Sequence, residues 1–218
     1  MPWWLTTPQG SAGRPTTLLR PQDEEAYDAI VFEYQKENNA WMDNVELSSG
    51  HRLPTPETVF QLSITSGHRE LPDDFVNGRI GRAVSERVVD LIERLEPGVH
   101  GFWPIDVSFR DGAFAGRRWL LNVGNRLDTL DLEKSKIKGN RTDPNGRLVP
   151  DFAVAGKRPL KDGPKLLFCR SGAVGRHAIW CEYRFYEAVF VSDELHQLFL
   201  EFTPNLIGID FQLQASLI

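Results

Sequence analysis

Apolar residues recur at helical spacing over residues 84–95, with charged residues on the opposite face. The apolar positions are Val84, Val88, Leu91, Ile92 and Leu95. This three- and four-residue period predicts an amphipathic helix with one buried side. Ser85 is expected to be the N-cap of this helix, and Pro97-Gly98 cannot continue it, so the chain must turn there.

The apolar period changes to two after the helix. Alternation covers residues 101–109 and 119–123, and the turn sequence Asp111-Gly112 lies between them. The pattern predicts two strands that pair as a hairpin, and helix and hairpin together form the predicted nucleus of the fold. The predicted inner face of the first strand carries Trp103, Ile105, Val107 and Phe109, and in the second strand Trp119, Leu121 and Val123 alternate with Arg118, Leu120 and Asn122.

The remaining elements are shorter. Further strands are predicted over residues 26–34, 59–64, 165–170, 177–185, 188–191 and 207–213. The strands at 165–170 and 177–185 are expected to pair as a second hairpin, and Ser192 is expected to cap a helix whose first turn is acidic. Hairpins with two helices among them predict an α+β fold, with a mostly antiparallel sheet and two main helices packed on one face.

Composition indicates one folded domain. A chain of 218 residues that is 41% hydrophobic, with 13 Phe and 6 Trp, can build a sizeable core. Residues 1–21 are rich in Pro, Thr and Gly without periodicity and predict a flexible N-terminal arm, which leaves 22–218 as a single domain. Trp3 and Trp4 in that arm are expected to dock on the domain's own surface, or alternatively to anchor a partner.

The sequence shows no signal for a membrane or for secretion. No apolar run approaches the ~20 residues that a membrane span needs, and the N-terminus lacks the basic and apolar regions of a signal peptide. We therefore expect a cytoplasmic protein. Cys169 and Cys181 are accordingly expected to be buried thiols rather than a disulfide.

Charge is unevenly distributed along a chain whose net charge is −5. Residues 22–57 carry nine acidic and two basic side chains, a net charge of −7, whereas residues 136–165 carry eight basic and three acidic ones, a net charge of +5. Residues 136–164, which contain several Gly and Pro, predict a long basic loop. Either charged segment could bind a partner or could simply be solvated surface, while the overall acidity argues against a nucleic-acid-binding protein.

Little catalytic chemistry is visible. The five histidines occur without a Gly-x-Ser-x-Gly elbow, a Cys/His signature or a His-x-x-x-His pair, so we expect no catalytic residue, no metal and no cofactor. Asp128 and Asp131, near Asn122 and Glu133, are the most enzyme-like group, since paired carboxylates can do acid-base work or hold Mg²⁺. We favour the alternative, a turn in which these side chains cap backbone N–H groups.

The sequence Gly175-Arg176-His177 also allows two interpretations. It could be an anion-binding loop, but no phosphate-loop pattern accompanies it. The simpler interpretation is a turn glycine followed by an arginine that makes an ion pair at a buried edge.

Three stretches of the chain carry motifs whose order and spacing are characteristic when they are taken together. They are Val84-Ser85-Glu86-Arg87 with Glu96-Pro97-Gly98-Val99-His100 and Phe102-Trp103-Pro104; Leu120-Leu121-Asn122-Val123 with Leu127-Asp128 and Asp131; and Gly175-Arg176-His177 with Val189-Phe190-Val191-Ser192-Asp193-Glu194-Leu195. Together they resemble a bacterial family, long known only as a domain of unknown function, that comprises immunity proteins of polymorphic toxin systems. The resemblance covers about residues 26–213.

This resemblance implies a non-enzymatic inhibitor. Such a protein binds a cognate toxin encoded beside it and occludes the toxin's active site; we expect a monomer or homodimer, with no membrane or nucleic-acid partner. The candidate partner-binding residues are Glu24, Glu25, Asp28, Asp128, Asp131, Arg147, Lys157 and Arg158. The alternative from another class is a small metal- or acid-base-dependent enzyme that uses Asp128 and Asp131, and a weaker third is a nucleic-acid-binding accessory that uses the basic loop.

Overall fold

The computed structural model describes most of the helix and hairpin region and parts of both ends of the chain. Its described residues are 2–6, 18–21, 25, 59–64, 71, 74–78, 81–131, 133–135, 140–142, 148–150, 168–183, 185–202, 210–214 and 216–217. The predicted strand at 26–34 and most of the basic loop lie outside them. Among these residues, no helix is long and apolar enough to cross a membrane.

The described elements are fifteen strands and three helices. The strands are β1 (Trp3–Thr6), β2 (Leu18–Pro21), β3 (Phe60–Ile64), β4 (Phe75–Gly78), β5 (Gly81–Val84), β6 (Gly101–Ser108), β7 (Phe114–Asn122), β8 (Arg126–Leu127), β9 (Asn140–Thr142), β10 (Leu148–Pro150), β11 (Phe168–Cys169), β12 (Ile179–Glu182), β13 (Phe185–Val191), β14 (Asp210–Gln214) and β15 (Ser216–Leu217). The helices are α1 (Glu86–Leu95), α2 (Ser171–Val174) and α3 (Asp193–Phe202).

Six strands close into a small barrel in the order β2-β3-β6-β7-β5-β4. β6 and β7 pair antiparallel with Trp103 opposite Leu120, so the predicted hairpin is confirmed. Alternate side chains of these strands point inward, as the two-residue period requires. The barrel core consists of Leu62, Ile64, Ala83, Trp103, Ile105, Val107 and Leu120.

A second sheet has the order β14-β1-β13-β12-β8, and α1 and α3 pack against it. Its core consists of Val84, Val88, Leu91, Ile92, Leu121, Val123, Ala178, Ile179, Cys181, Val189, Val191, Leu195 and Phe199. β7 serves both cores, because Leu120 points into the barrel and Leu121 points towards the helices. The α+β prediction is confirmed, with strands in the barrel, in this sheet and in two further two-stranded sheets, β9 with β10 and β11 with β15.

The N-terminal segment differs from the predicted arm. β1 lies between β13 and β14 and pairs antiparallel with both, with Trp3 opposite Val191. The Trp3 indole donates a hydrogen bond to Asp193 Oδ1 over 2.9 Å and stacks on the His196 ring, with a centroid separation of 3.9 Å. A four-residue strand is too short to show a period, and its pairing partners lie at the other end of the chain. Trp3 docks on its own domain, which was one of the two expectations.

The predicted second hairpin is wrong. β11 pairs in parallel with β15, whereas β12 pairs with β13 and β8. The predicted turn instead forms α2, and Gly175 follows it with a φ of 56°. All four residues of β12 are buried, so the alternation in its sequence does not separate an inner face from an outer one. Short apolar strands buried on both sides carry no pairing information of their own.

The two long helices begin differently. In α3 the prediction is confirmed, because the Leu195 amide donates to Ser192 Oγ over 3.1 Å. Ser85 occupies the N-cap position of α1 but makes no side-chain cap bond. Its hydroxyl donates instead to the buried Asp74 carboxylate over 2.6 Å, which Arg87 also binds through both carboxylate oxygens at 2.8 and 2.7 Å. The bond to this charged acceptor holds the Ser85 side chain in an orientation in which its oxygen accepts no hydrogen bond from the helix amides.

Replacing Asp74 by alanine should lower the free energy of unfolding by about 2–3 kcal/mol, because Ser85 and Arg87 lose a shared, buried, charged acceptor. Arg87→Ala should lower it by under about 1 kcal/mol, since 62% of the Arg87 side chain is exposed. Urea unfolding followed by circular dichroism measures both. Equal losses from the two variants would contradict the assignment of Asp74 as the anchor of α1.

Candidate functional site

The candidate site forms where α1 ends. Glu96 is the C-cap residue, and its amide donates to Ile92 O over 3.0 Å. Pro97-Gly98 stops the helix as predicted, with Gly98 at a φ of 69° that suits glycine. The turn carries the chain back into β6, so that His100 lies beside the Glu96 side chain.

Glu96 has a carboxylate that is buried and fully occupied. Its residue is 8% exposed, and four groups donate hydrogen bonds to it. Oε2 accepts from His100 Nε2 at 2.9 Å and from the Ile179 amide at 3.1 Å. Oε1 accepts from Asn125 Nδ2 at 2.9 Å and contacts His177 Nδ1 at 3.2 Å. We call Glu96, His100, Asn125 and His177 the Glu96 cluster.

Backbone groups fix the orientation of the cluster's side chains. The Gly124 amide donates to His100 Nδ1 over 3.1 Å, so the ring proton of His100 lies on Nε2 and points at Glu96. Asn125 Nδ2 also donates to the Ile179 carbonyl over 3.1 Å. The cluster therefore joins the end of α1, the segment after β7 and the start of β12.

Electrostatics keep Glu96 ionised. Burial raises the pKa of this carboxyl, but hydrogen bonds from His100, from the Ile179 amide and from His177 lower it, and the net result is a pKa below the ordinary value of 4.5. With every carboxylate position filled by a donor of the protein, the cluster connects structural elements; it does not present an open base to a substrate. In the described part of the chain, no three His, Cys, Asp or Glu side chains are arranged to hold a metal ion.

A second buried carboxylate belongs to Glu182, the last residue of β12. Glu182 is fully buried and accepts hydrogen bonds from the Thr129 hydroxyl at 2.5 Å and the Thr129 amide at 3.0 Å. The same hydroxyl lies 3.7 Å from Cys169 Sγ. Burial raises the pKa of Cys169 to about 12, so this thiol is protonated and unreactive at neutral pH. Cys169 and Cys181 are both buried thiols.

Asp128 and Asp131, the enzyme-like pair of the sequence, have separate structural roles. Asp131 Oδ1 accepts hydrogen bonds from the Glu133 amide at 3.0 Å and the Lys134 amide at 2.9 Å. The interpretation of Asp131 as a turn-capping residue is therefore confirmed. Asp128 forms an ion pair with Arg170 at 3.2 Å.

Arg176 differs from its prediction. It is exposed, and within the part of the chain that the structure describes its guanidinium makes no ion pair or hydrogen bond. The expected pairing at a buried edge is instead made by its neighbour His177, which contacts Glu96. The turn at Gly175 points Arg176 outward and His177 inward.

The other predicted partner-binding residues belong to the chain's two charged segments. Glu25 is exposed. Glu24, Asp28, Arg147, Lys157 and Arg158 lie outside the described residues. Sequence reasoning did not assemble the Glu96 cluster, although Glu96, His100 and His177 all occur in the motifs of the family resemblance. Only the i,i+4 spacing of Glu96 and His100 hinted at it, and Pro97-Gly98 between them obscured that hint.

A comparison with protein-family models tests the family resemblance. The model described as Immunity protein family (Imm11) matches residues 15–216. The chain belongs to the Imm11 immunity protein family. The resemblance found in the sequence is thereby confirmed. A search of curated proteins found no match.

Glu96→Gln should destabilise this Imm11 protein by about 2–4 kcal/mol at pH 7, because the amide NH2 of glutamine would face hydrogen-bond donors in a buried site. Since the folded-state pKa of Glu96 lies below 4.5, the stability that its charge contributes is present above that pH and is lost as the pH falls through the folded-state value. The difference in free energy of unfolding between wild type and Glu96→Gln should therefore narrow below pH 4.5.

Urea titrations from pH 7 to pH 3 measure this difference, which cancels contributions from other acidic groups. Glu93→Gln is the matched control on the same helix, where the carboxylate accepts one exposed hydrogen bond from the Gly98 amide. It should cost under about 1 kcal/mol. If the difference in free energy of unfolding between wild type and Glu96→Gln stayed constant down to pH 3, the charge of Glu96 would not be what stabilises the cluster.

Proposed function

We propose that this Imm11 immunity protein binds a cognate toxin encoded beside it and blocks the toxin's active site without catalysing a reaction. The observation that carries the proposal is the family match, which spans residues 15–216. The geometry supports it, because the buried polar clusters are occupied by the protein's own donors. An inhibitor needs a stable scaffold with a complementary surface, and occupied clusters of this kind provide a scaffold.

The enzyme alternative receives less support. It needs Asp128 and Asp131 to act together on a substrate or a metal. In the structure Asp131 accepts hydrogen bonds from two backbone amides, and Asp128 forms an ion pair with Arg170. These contacts favour the non-catalytic proposal. We place the neutralisation in the cytoplasm, where thiols such as Cys169 and Cys181 stay reduced.

The acidic segment offers a way to recognise the toxin. Residues 22–57 carry a net charge of −7, and Glu25 within them is exposed. A toxin that acts on nucleic acid has a basic active cleft, and an acidic surface would speed encounter with that cleft and exclude its substrate. The competing contact is the basic loop at 136–164, which would require an acidic toxin surface.

Expressing the chain with the product of the adjacent gene should give a stable stoichiometric complex and should rescue cells from that product's toxicity. Co-purification and a growth assay measure the two outcomes. The control is the same toxin expressed with an unrelated immunity protein, which should not rescue. If the chain neither bound the toxin nor rescued the cells, the proposal would be refuted, and the enzyme alternative that uses Asp128 and Asp131 would be favoured.

Reversing the charges of Glu24, Glu25 and Asp28 to lysine should weaken the toxin complex by about tenfold or more and should reduce the salt dependence of its association rate. The matched control reverses three exposed acids elsewhere, Asp90, Glu133 and Glu201. Surface plasmon resonance against an inactivated toxin measures both.

A parallel variant, Arg147→Glu with Lys157→Glu and Arg158→Glu, tests the competing basic contact. Loss of binding in this variant alone would transfer the recognition role to residues 136–164. If the affinity were unchanged by salt and by all three sets of charge reversals, electrostatic recognition by either segment would be excluded.

A further inference from the structure

The turn at residues 175–177 presents an exposed arginine on a rigid base. Arg176 is exposed, and in the described part of the chain its guanidinium has no ion-pair or hydrogen-bond partner. An arginine on a mobile loop would lose much conformational entropy on binding, so the rigidity of its support matters.

Backbone hydrogen bonds hold the turn on its N-terminal side. The Gly175 amide donates to Ser171 O over 3.0 Å, and the His177 amide donates to Val174 O over 3.2 Å. Gly175 adopts φ 56° and ψ −126°, a conformation that L-residues with a side chain rarely reach. The chain can therefore reverse sharply between α2 and Arg176.

The Glu96 cluster holds the turn on its C-terminal side. His177 Nδ1 lies 3.2 Å from Glu96 Oε1, and the Ile179 amide donates to Glu96 Oε2 over 3.1 Å. Burying a carboxylate is expensive, and apolar residues can join packed elements at lower cost. What the charged cluster adds is a fixed direction for the residues next to it, and Arg176 is the exposed residue that directly precedes His177.

The two arginines at the ends of α2 differ in their pairing. Arg170 lies at the other end of α2, but its charge is paired with Asp128 at 3.2 Å. Glu96 and Glu182 are buried, and their carboxylates accept hydrogen bonds from other groups of the chain. Arg176 is exposed and has no ion-pair partner among the described residues, so it presents an unpaired positive charge on a protein whose net charge is −5.

We propose that Arg176 is a contact residue that binds a carboxylate on the surface of the partner toxin. This inference rests on the proposed function and assigns it a specific contact. Arginine is suited to the role because its planar guanidinium can bind a carboxylate through two parallel hydrogen bonds. The occupant is thus a protein whose docking surface carries aspartate or glutamate opposite the turn.

The test uses the full chain and the inactivated product of the adjacent gene, with affinity measured by isothermal titration calorimetry. Arg176→Glu should weaken binding by about 30-fold or more, because it places a like charge opposite the partner's carboxylate. Arg176→Lys should weaken it by less, since lysine keeps the charge and loses the paired geometry.

Arg110→Glu is the matched control. Arg110 is also exposed and without a partner among the described residues, but it lies at the turn between β6 and β7. The same charge change there should alter the affinity by less than about twofold. Circular dichroism and thermal unfolding confirm that each variant is folded.

The outcomes separate the two proposals. If the wild-type chain forms no complex, the proposed function fails and this contact fails with it. If the wild-type complex forms but Arg176→Glu binds within twofold of wild type, only the contact is overturned. It is also overturned if Arg110→Glu weakens binding as much as Arg176→Glu, since the effect would then be one of net charge.

Discussion

The buried carboxylate of Glu96 is the constraint on which the arrangement of the fold depends. A buried ionised group that loses its partners costs several kcal/mol, so all four donors around it must be in place together. Those donors come from the turn after α1, from the segment after β7 and from the start of β12. A helix end, a barrel strand and a strand of the second sheet are thereby fixed relative to one another.

β7 provides the matching apolar constraint. Leu120 belongs to the barrel core, whereas Leu121 and Val123 belong to the core beneath α1 and α3. Because successive side chains of a strand point to opposite faces, one strand forms a wall shared by two cores. The barrel cannot loosen at β7 without disturbing the helices, and the Glu96 cluster closes the same junction from its polar side. We therefore expect the barrel and the second sheet to unfold as one cooperative unit.

Sequence predicted those parts whose structure is determined locally. α1, the hairpin of β6 and β7, and the capped start of α3 each have a period or a cap within a dozen residues. It did not predict β1, because the pairing that makes Trp3–Thr6 a strand comes from β13 and β14. The same holds for the Glu96 cluster, in which His177 is 81 residues from its partner. Ser85 shows a third limit, because a local capping rule fails when a distant residue, the buried Asp74, accepts the hydroxyl proton and orients the side chain away from the helix amides.

The polar residues of this protein divide into those whose side chains are hydrogen-bonded within the fold and those whose side chains are exposed to solvent. Asp131, Glu96 and Glu182 all accept hydrogen bonds from their own chain, so their conspicuous charge in the sequence reflects structure. Arg176 and His177 are adjacent in sequence. The Arg176 side chain is exposed to solvent, whereas His177 contacts Glu96, whose carboxylate is buried. Sequence cannot make this distinction, because the residue types are equally suited to both roles. For an immunity protein the distinction is informative, since a surface that must meet a toxin needs charges that the fold has not already neutralised.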